Sequence, residues 1–70
     1  MIAIRDERNT KFTAQEKSDC AAREVKMRMR VYPRWVQDDR MSQAQANREI
    51  ECMRQIAADY ADAAAKERLL

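Results

Sequence analysis

This chain of 70 residues has no glycine, no histidine and a single proline. Without glycine, a phosphate-cradling loop of the P-loop or dinucleotide type is not expected, because those loops need backbone conformations that other residues adopt only at a cost. Without histidine there is no Ser-His-Asp triad, no Cys-His pair and no imidazole ligand for a metal. Two cysteines are too few for a disulfide scaffold, and alone they cannot complete a structural zinc site. Long apolar runs are also missing, and a membrane span needs about 18 such residues in a row. The opening Met1-Ile2-Ala3-Ile4 runs at once into Arg5-Asp6-Glu7-Arg8, too short and too charged for a signal peptide. These absences lead to the expectation of a non-enzymatic protein with no catalytic residue, no cofactor, no metal and no membrane partner. The expected compartment is a reducing cytoplasm, where Cys20 and Cys52 remain thiols.

What is present favours helix. Apolar residues make up 46% of the chain, yet twelve of them are alanine, and Leu, Ile, Val and Phe together number only ten. A net charge of +2 is too small for the disorder signature of high charge with low hydropathy. Alanine, glutamate, arginine, lysine and glutamine without glycine is the composition of long helices. A core built from so few large side chains is marginal alone. Chains this short need a metal, disulfides, an oligomer or very regular helix packing, and self-association is the expected answer here.

Residues 1–12 read as a polar arm, and residues 13–70 as a helical hairpin. Thr13 and Glu16 have the spacing of a capping box, so the first helix is expected over about 14–37. Its apolar face recurs at Ala21, Val25, Met29, Tyr32 and Val36, and Cys20, Met27, Val31 and Trp35 make a flanking stripe. Pro33 removes a backbone donor and crowds the Met29 carbonyl, which predicts a kink. Asp38-Asp39-Arg40 reads as the turn. Met41, Ser42, Gln45 and Ala46 then form a second start signal, with Ser42 as cap, Gln45 as its reciprocal group and Met41 against Ala46 as staple. The second helix, about 43–68, carries Ala46, Ile50, Met53, Ala57, Tyr60 and Ala64 at near-heptad spacing, with Cys52, Ile56 and Ala63 beside them. The expected fold is therefore all-α, an antiparallel hairpin with its first helix kinked at Pro33, dimerising into a four-helix bundle because each helix has two apolar stripes and only one hairpin neighbour. The expected core and dimer residues are Val25, Met29, Tyr32, Val36, Ile50, Met53, Ile56 and Tyr60.

Few residues offer chemistry. Cys20 and Cys52 fall too far apart along a hairpin for a disulfide and read as small core residues. Asp59 and Asp62, three apart, share a helix face but have no evident cleft to perturb them. Charge is placed more distinctively. Residues 23–34 hold Arg23, Lys26, Arg28, Arg30 and Arg34 against Glu24 alone, and Arg23, Lys26, Arg30 and Arg34 fall on one stripe opposite the apolar face. Such a stripe can meet phosphates or the acids of a protein, and it lacks the Asn, Gln or aromatic residues with which base readers supplement arginine. Trp35, the sole tryptophan, follows Arg34, and Trp beside Arg is common where proteins bind one another. The candidate partner-binding set is Arg23, Lys26, Arg30, Arg34 and Trp35.

The stretch Arg28-Met29-Arg30-Val31-Tyr32-Pro33-Arg34-Trp35-Val36, followed by Arg40-Met41-Ser42-Gln43, Ala46, Glu49-Ile50, Met53, Ile56 and Asp59-Tyr60, resembles small helical proteins encoded by phages and prophages of proteobacteria. The resemblance covers roughly residues 20–60. Relatives of that kind carry glycine in the turn where this chain has Asp38-Asp39. The family brings no reaction and no catalytic residue. It implies an accessory phage protein in a bacterial cytoplasm that binds a host or phage protein, for instance a defence component. The alternatives are a small nucleic-acid-binding protein using the basic stripe, or a structural subunit of a phage assembly.

Overall fold

A computed structural model describes residues 11–69. Among them are two helices and no strand: α1, Ala14–Gln37, and α2, Gln43–Leu69. The arm expected over residues 1–12 lies outside the described residues except for Lys11 and Phe12, both exposed.

Each helix begins where the side chains supply the missing backbone partners. The first four N–H groups of a helix have no carbonyl to bond. At α1, the Thr13 hydroxyl accepts from the Glu16 N–H at 3.0 Å, and the Glu16 carboxylate accepts from the Thr13 N–H at 2.8 Å. The expected capping box is thus complete. At α2 the Ser42 hydroxyl accepts from the Gln45 N–H at 3.0 Å, which is the cap half of the expected box.

The end of α1 is a Schellman turn. The Arg40 N–H reaches back to the Trp35 carbonyl at 2.8 Å, and the Asp39 N–H to the Val36 carbonyl at 3.1 Å. Closing it puts Asp39 in the left-handed region, φ 61°, the conformation that glycine adopts without strain. Pro33 lies inside α1, which continues through it to Gln37.

The helices run antiparallel, since contacts pair later residues of α1 with earlier residues of α2. Gln15 meets Arg68, Ser18 meets Ala57, and Arg28 meets Glu49. The α1 seam is Ala14, Ser18, Ala21, Val25, Arg28, Tyr32 and Trp35, buried or half-buried at alternating steps of four and three. That is a heptad seam. The α2 seam follows the expected Ala46, Ile50, Met53, Ala57, Tyr60 and Ala64, with Tyr60 its most open member.

The seam corrects two expectations. Of the expected core and dimer residues, Met29 is 48% exposed and Ile56 and Tyr60 are each 37% exposed in the single chain; the strict heptad passes through Arg28 and leaves Met29 on the flank, and Ile56 lies beside the α2 seam. Cys20 and Cys52 are free and exposed and not core residues. Among the described residues the buried apolar ones are Ala14, Ala21, Ala46 and Ala64. At about 0.8 kcal/mol per buried carbon, four methyl groups contribute no more than one or two buried leucines would.

Candidate functional site

Arg23, Lys26, Arg30 and Arg34 are all exposed. They sit on the side of α1 turned away from the seam, as their 100° spacing requires. From Arg23 to Arg34 the stripe covers about 16 Å of helix axis. None of the four has an ion pair or hydrogen bond among the described residues. The nearest acid in sequence, Glu24, is turned toward the neighbouring side of α1 and committed to Arg28 at 2.9 Å. The stripe therefore presents uncompensated positive charge to solvent.

Trp35 is not part of it. The heptad carries Trp35 into the loop end of the seam, where it is half-buried and a third of a turn or more from Arg23 and Arg30. There it belongs to a ladder of rings and cations. The Tyr32 and Trp35 rings stack at 5.5 Å between centroids and 27° between planes. The Arg40 guanidinium lies 5.3 Å from the Trp35 ring centroid, and that of Arg28 lies 5.8 Å from Tyr32. Each cation faces the negative face of a ring. The ladder is self-satisfied, and its members mainly hold the loop against the hairpin.

Arg28 is the residue that the apolar pattern passes over. Its Nε donates to Glu24, its Nη1 donates to the Glu49 backbone carbonyl at 3.0 Å and lies 3.6 Å from the Glu49 carboxylate. The hydrogen bond that Arg28 donates to Glu24 holds the guanidinium above its usual pKa, with burial opposing the shift. Arg28 is thus a cation spent on joining the two helices and not part of the exposed stripe. A heptad count through Ala21 and Val25 would have found it. A count restricted to apolar residues does not.

The acids do not assemble. Asp59 accepts from the Gln55 amide at 3.0 Å, while Asp62 pairs with Lys66 at 3.3 Å, so the two carboxylates are held by different partners. Among the described residues, no three His, Cys, Asp or Glu side chains converge as metal ligands would. A shallow groove beside the start of α1 is lined by Phe12, Glu16, Lys17, Asp19, Cys20 and Arg23. No helix among the described residues is long and apolar enough to cross a membrane.

The hairpin has two broad sides. On one, Arg54 of α2 donates to the Met29 sulfur at 3.3 Å. On the other, Lys17 lies 5.3 Å from the Tyr60 ring centroid and Arg28 meets Glu49. Helical spacing puts Cys20, Met27 and Val31 of α1, with Cys52, Ile56 and Ala63 of α2, on this second side. The two flanking stripes expected from the sequence therefore share one surface. Against known proteins, the chain matches no family model, no curated protein and no solved structure.

Proposed function

We propose that this chain is a non-enzymatic, dimeric interaction protein of phage type, acting in the cytoplasm of a bacterial host, that binds and modulates a host protein such as a defence component through the outer face of α1. The observation that carries the reading is the row Arg23, Lys26, Arg30 and Arg34, exposed and without acidic partners. Four like charges in a row on one helix repel one another, and neighbouring like charges cost a few tenths of a kcal/mol per pair. An acidic partner surface would relieve that repulsion and gain rapid, steered encounter. The phage setting rests on the resemblance of residues 20–60 alone. In this reading α1 bends at Pro33 and the hairpins pair into a four-helix bundle.

The test is capture of a bacterial protein by the tagged chain, followed by replacement of Arg23, Lys26, Arg30 and Arg34 with alanine. All four are exposed, so the variant is expected to melt within a few degrees of the parent and to lose the captured protein. Retention of that protein by the folded variant would remove the stripe from the reading. The bare positive charge equally suits phosphates, and a mobility-shift titration separates the cases. Duplex binding that weakens steeply between low and moderate salt would assign the stripe to nucleic acid instead.

A further inference from the structure

Deepening the dimer reading above, we infer that the broad side of the hairpin carrying Cys20, Met27, Val31, Ile56 and Tyr60 is the seat of a second copy of this chain. Three observations converge on that occupant. First, the single chain hides too little. Its buried apolar residues, among those described, are alanines, while Met27 is 47% exposed and Ile56 and Tyr60 are each 37% exposed. A second copy laid on this side covers the larger apolar side chains of both molecules at once, as a two-fold contact uses the same surface twice.

Second, the dimensions suit a dimer. The molecule measures 46 × 26 × 17 Å, and its long flat sides are ample for the roughly 800 Å² that each partner of a stable complex covers.

Third, the charges on this side permit it to meet itself. A two-fold interface sets this side against an identical one, so a side of one sign repels. Here the helix ionic groups are Lys17 and Arg28 against Glu24, Glu49 and Glu67, both signs being present. Arg28 is bonded to Glu24 and lies 3.6 Å from Glu49, and Lys17 stands over the Tyr60 ring. The outer stripe of α1, all positive, is excluded from self-contact by the same reasoning. On the opposite broad side Arg54 covers the exposed Met29 and Arg68 bonds Gln15, among positions that are mostly alanine and amide residues.

The experiment compares sedimentation of the full chain with that of Met27→Glu, Ile56→Glu and, as a control, Met29→Glu. The expected result is a parent of twice the chain mass, with Met27→Glu and Ile56→Glu moved toward monomer at the same concentration and Met29→Glu unmoved. A monomeric parent would overturn both the dimer reading and the inference. A dimer that survives Met27→Glu and Ile56→Glu but is lost in Met29→Glu would overturn the inference alone. Because a separated hairpin can simply unfold, a second measurement uses the unaltered chain. A short bismaleimide is expected to join two copies through Cys20 and Cys52, and no longer to do so after Cys20→Ser with Cys52→Ser. A dimer in sedimentation whose thiols cannot be bridged would place the contact on another side.

Discussion

Asp39 occupies a position that chemistry would give to glycine. Its φ of 61° brings Cβ toward the following carbonyl, a strain of about 1–2 kcal/mol for an L-residue that aspartate partly escapes through its short polar side chain. Asp39→Gly is expected to stabilise the hairpin by about 0.5–1 kcal/mol, net of the greater freedom of glycine in the unfolded chain. A thermal melt checks it, and a lower melting temperature would mean that the Asp39 carboxylate makes a contact worth more than the strain. Arg28 is the opposite case, a polar residue whose place is settled by its bonds. Arg28→Ala removes the second, interhelical donor to the Glu49 carbonyl and frees Glu24. The expected loss is about 1–2 kcal/mol, moderated because Glu24 and Glu49 reach solvent. Arg28→Lys is expected to recover little of it, since an ammonium cannot hold both acceptors in one planar fork. Urea titration of the two variants would show whether they part.

At the scale of the element, the helices themselves were the most legible feature. Thr13 with Glu16, and Ser42 with Gln45, state where each begins, because a cap is a local bond between near neighbours and needs no tertiary information. The α2 seam was legible for a related reason: alanine, isoleucine, methionine and tyrosine recur there without a polar interruption. On α1 the same heptad is interrupted by Ser18 and Arg28. Apolar spacing therefore drifts onto Met29, and only the partner helix, through the Ala57 and Glu49 carbonyls, explains why serine and arginine belong in the seam. The turn was half legible. Asp38-Asp39 marks a break, but an aspartate in the left-handed conformation carries no sequence signal as plain as glycine would. Pro33 gives the prediction at this scale. Pro33→Ala restores a donor to the Met29 carbonyl and removes the ring from the last turns of α1, so helicity should rise and stability increase by about 1 kcal/mol or more. Far-UV circular dichroism and a melt read both, and unchanged helicity would indicate that α1 already accommodates the proline without loss.

For the whole molecule, what the sequence could not reveal was which side each stripe would face. Periodicity assigns residues to faces of one helix; it does not say that Met27 and Ile56 lie on one surface and Met29 on the other. That depends on the phase at which two helices meet, which Arg28 with Glu49 and Ser18 with Ala57 determine here. Likewise, Trp35 follows Arg34 in sequence, but its ring joins Tyr32 and Arg40 at the loop end instead of edging the basic stripe. If stability comes from pairing of copies, mass action must show in the melt, and the melting temperature should climb with each tenfold increase in protein concentration. A concentration-independent melt would describe a chain that stands alone.

The alanine seam has a last consequence for how the protein tolerates change. Ala46 and Ala64 are each 2% exposed, with no room beyond a methyl group, and a bulkier residue there would prise the rods apart along their whole length. Almost every other side chain reaches water. A saturating substitution scan should accordingly show, beside the losses at Arg28 and on the pairing side, a few small residues at which any added bulk is refused.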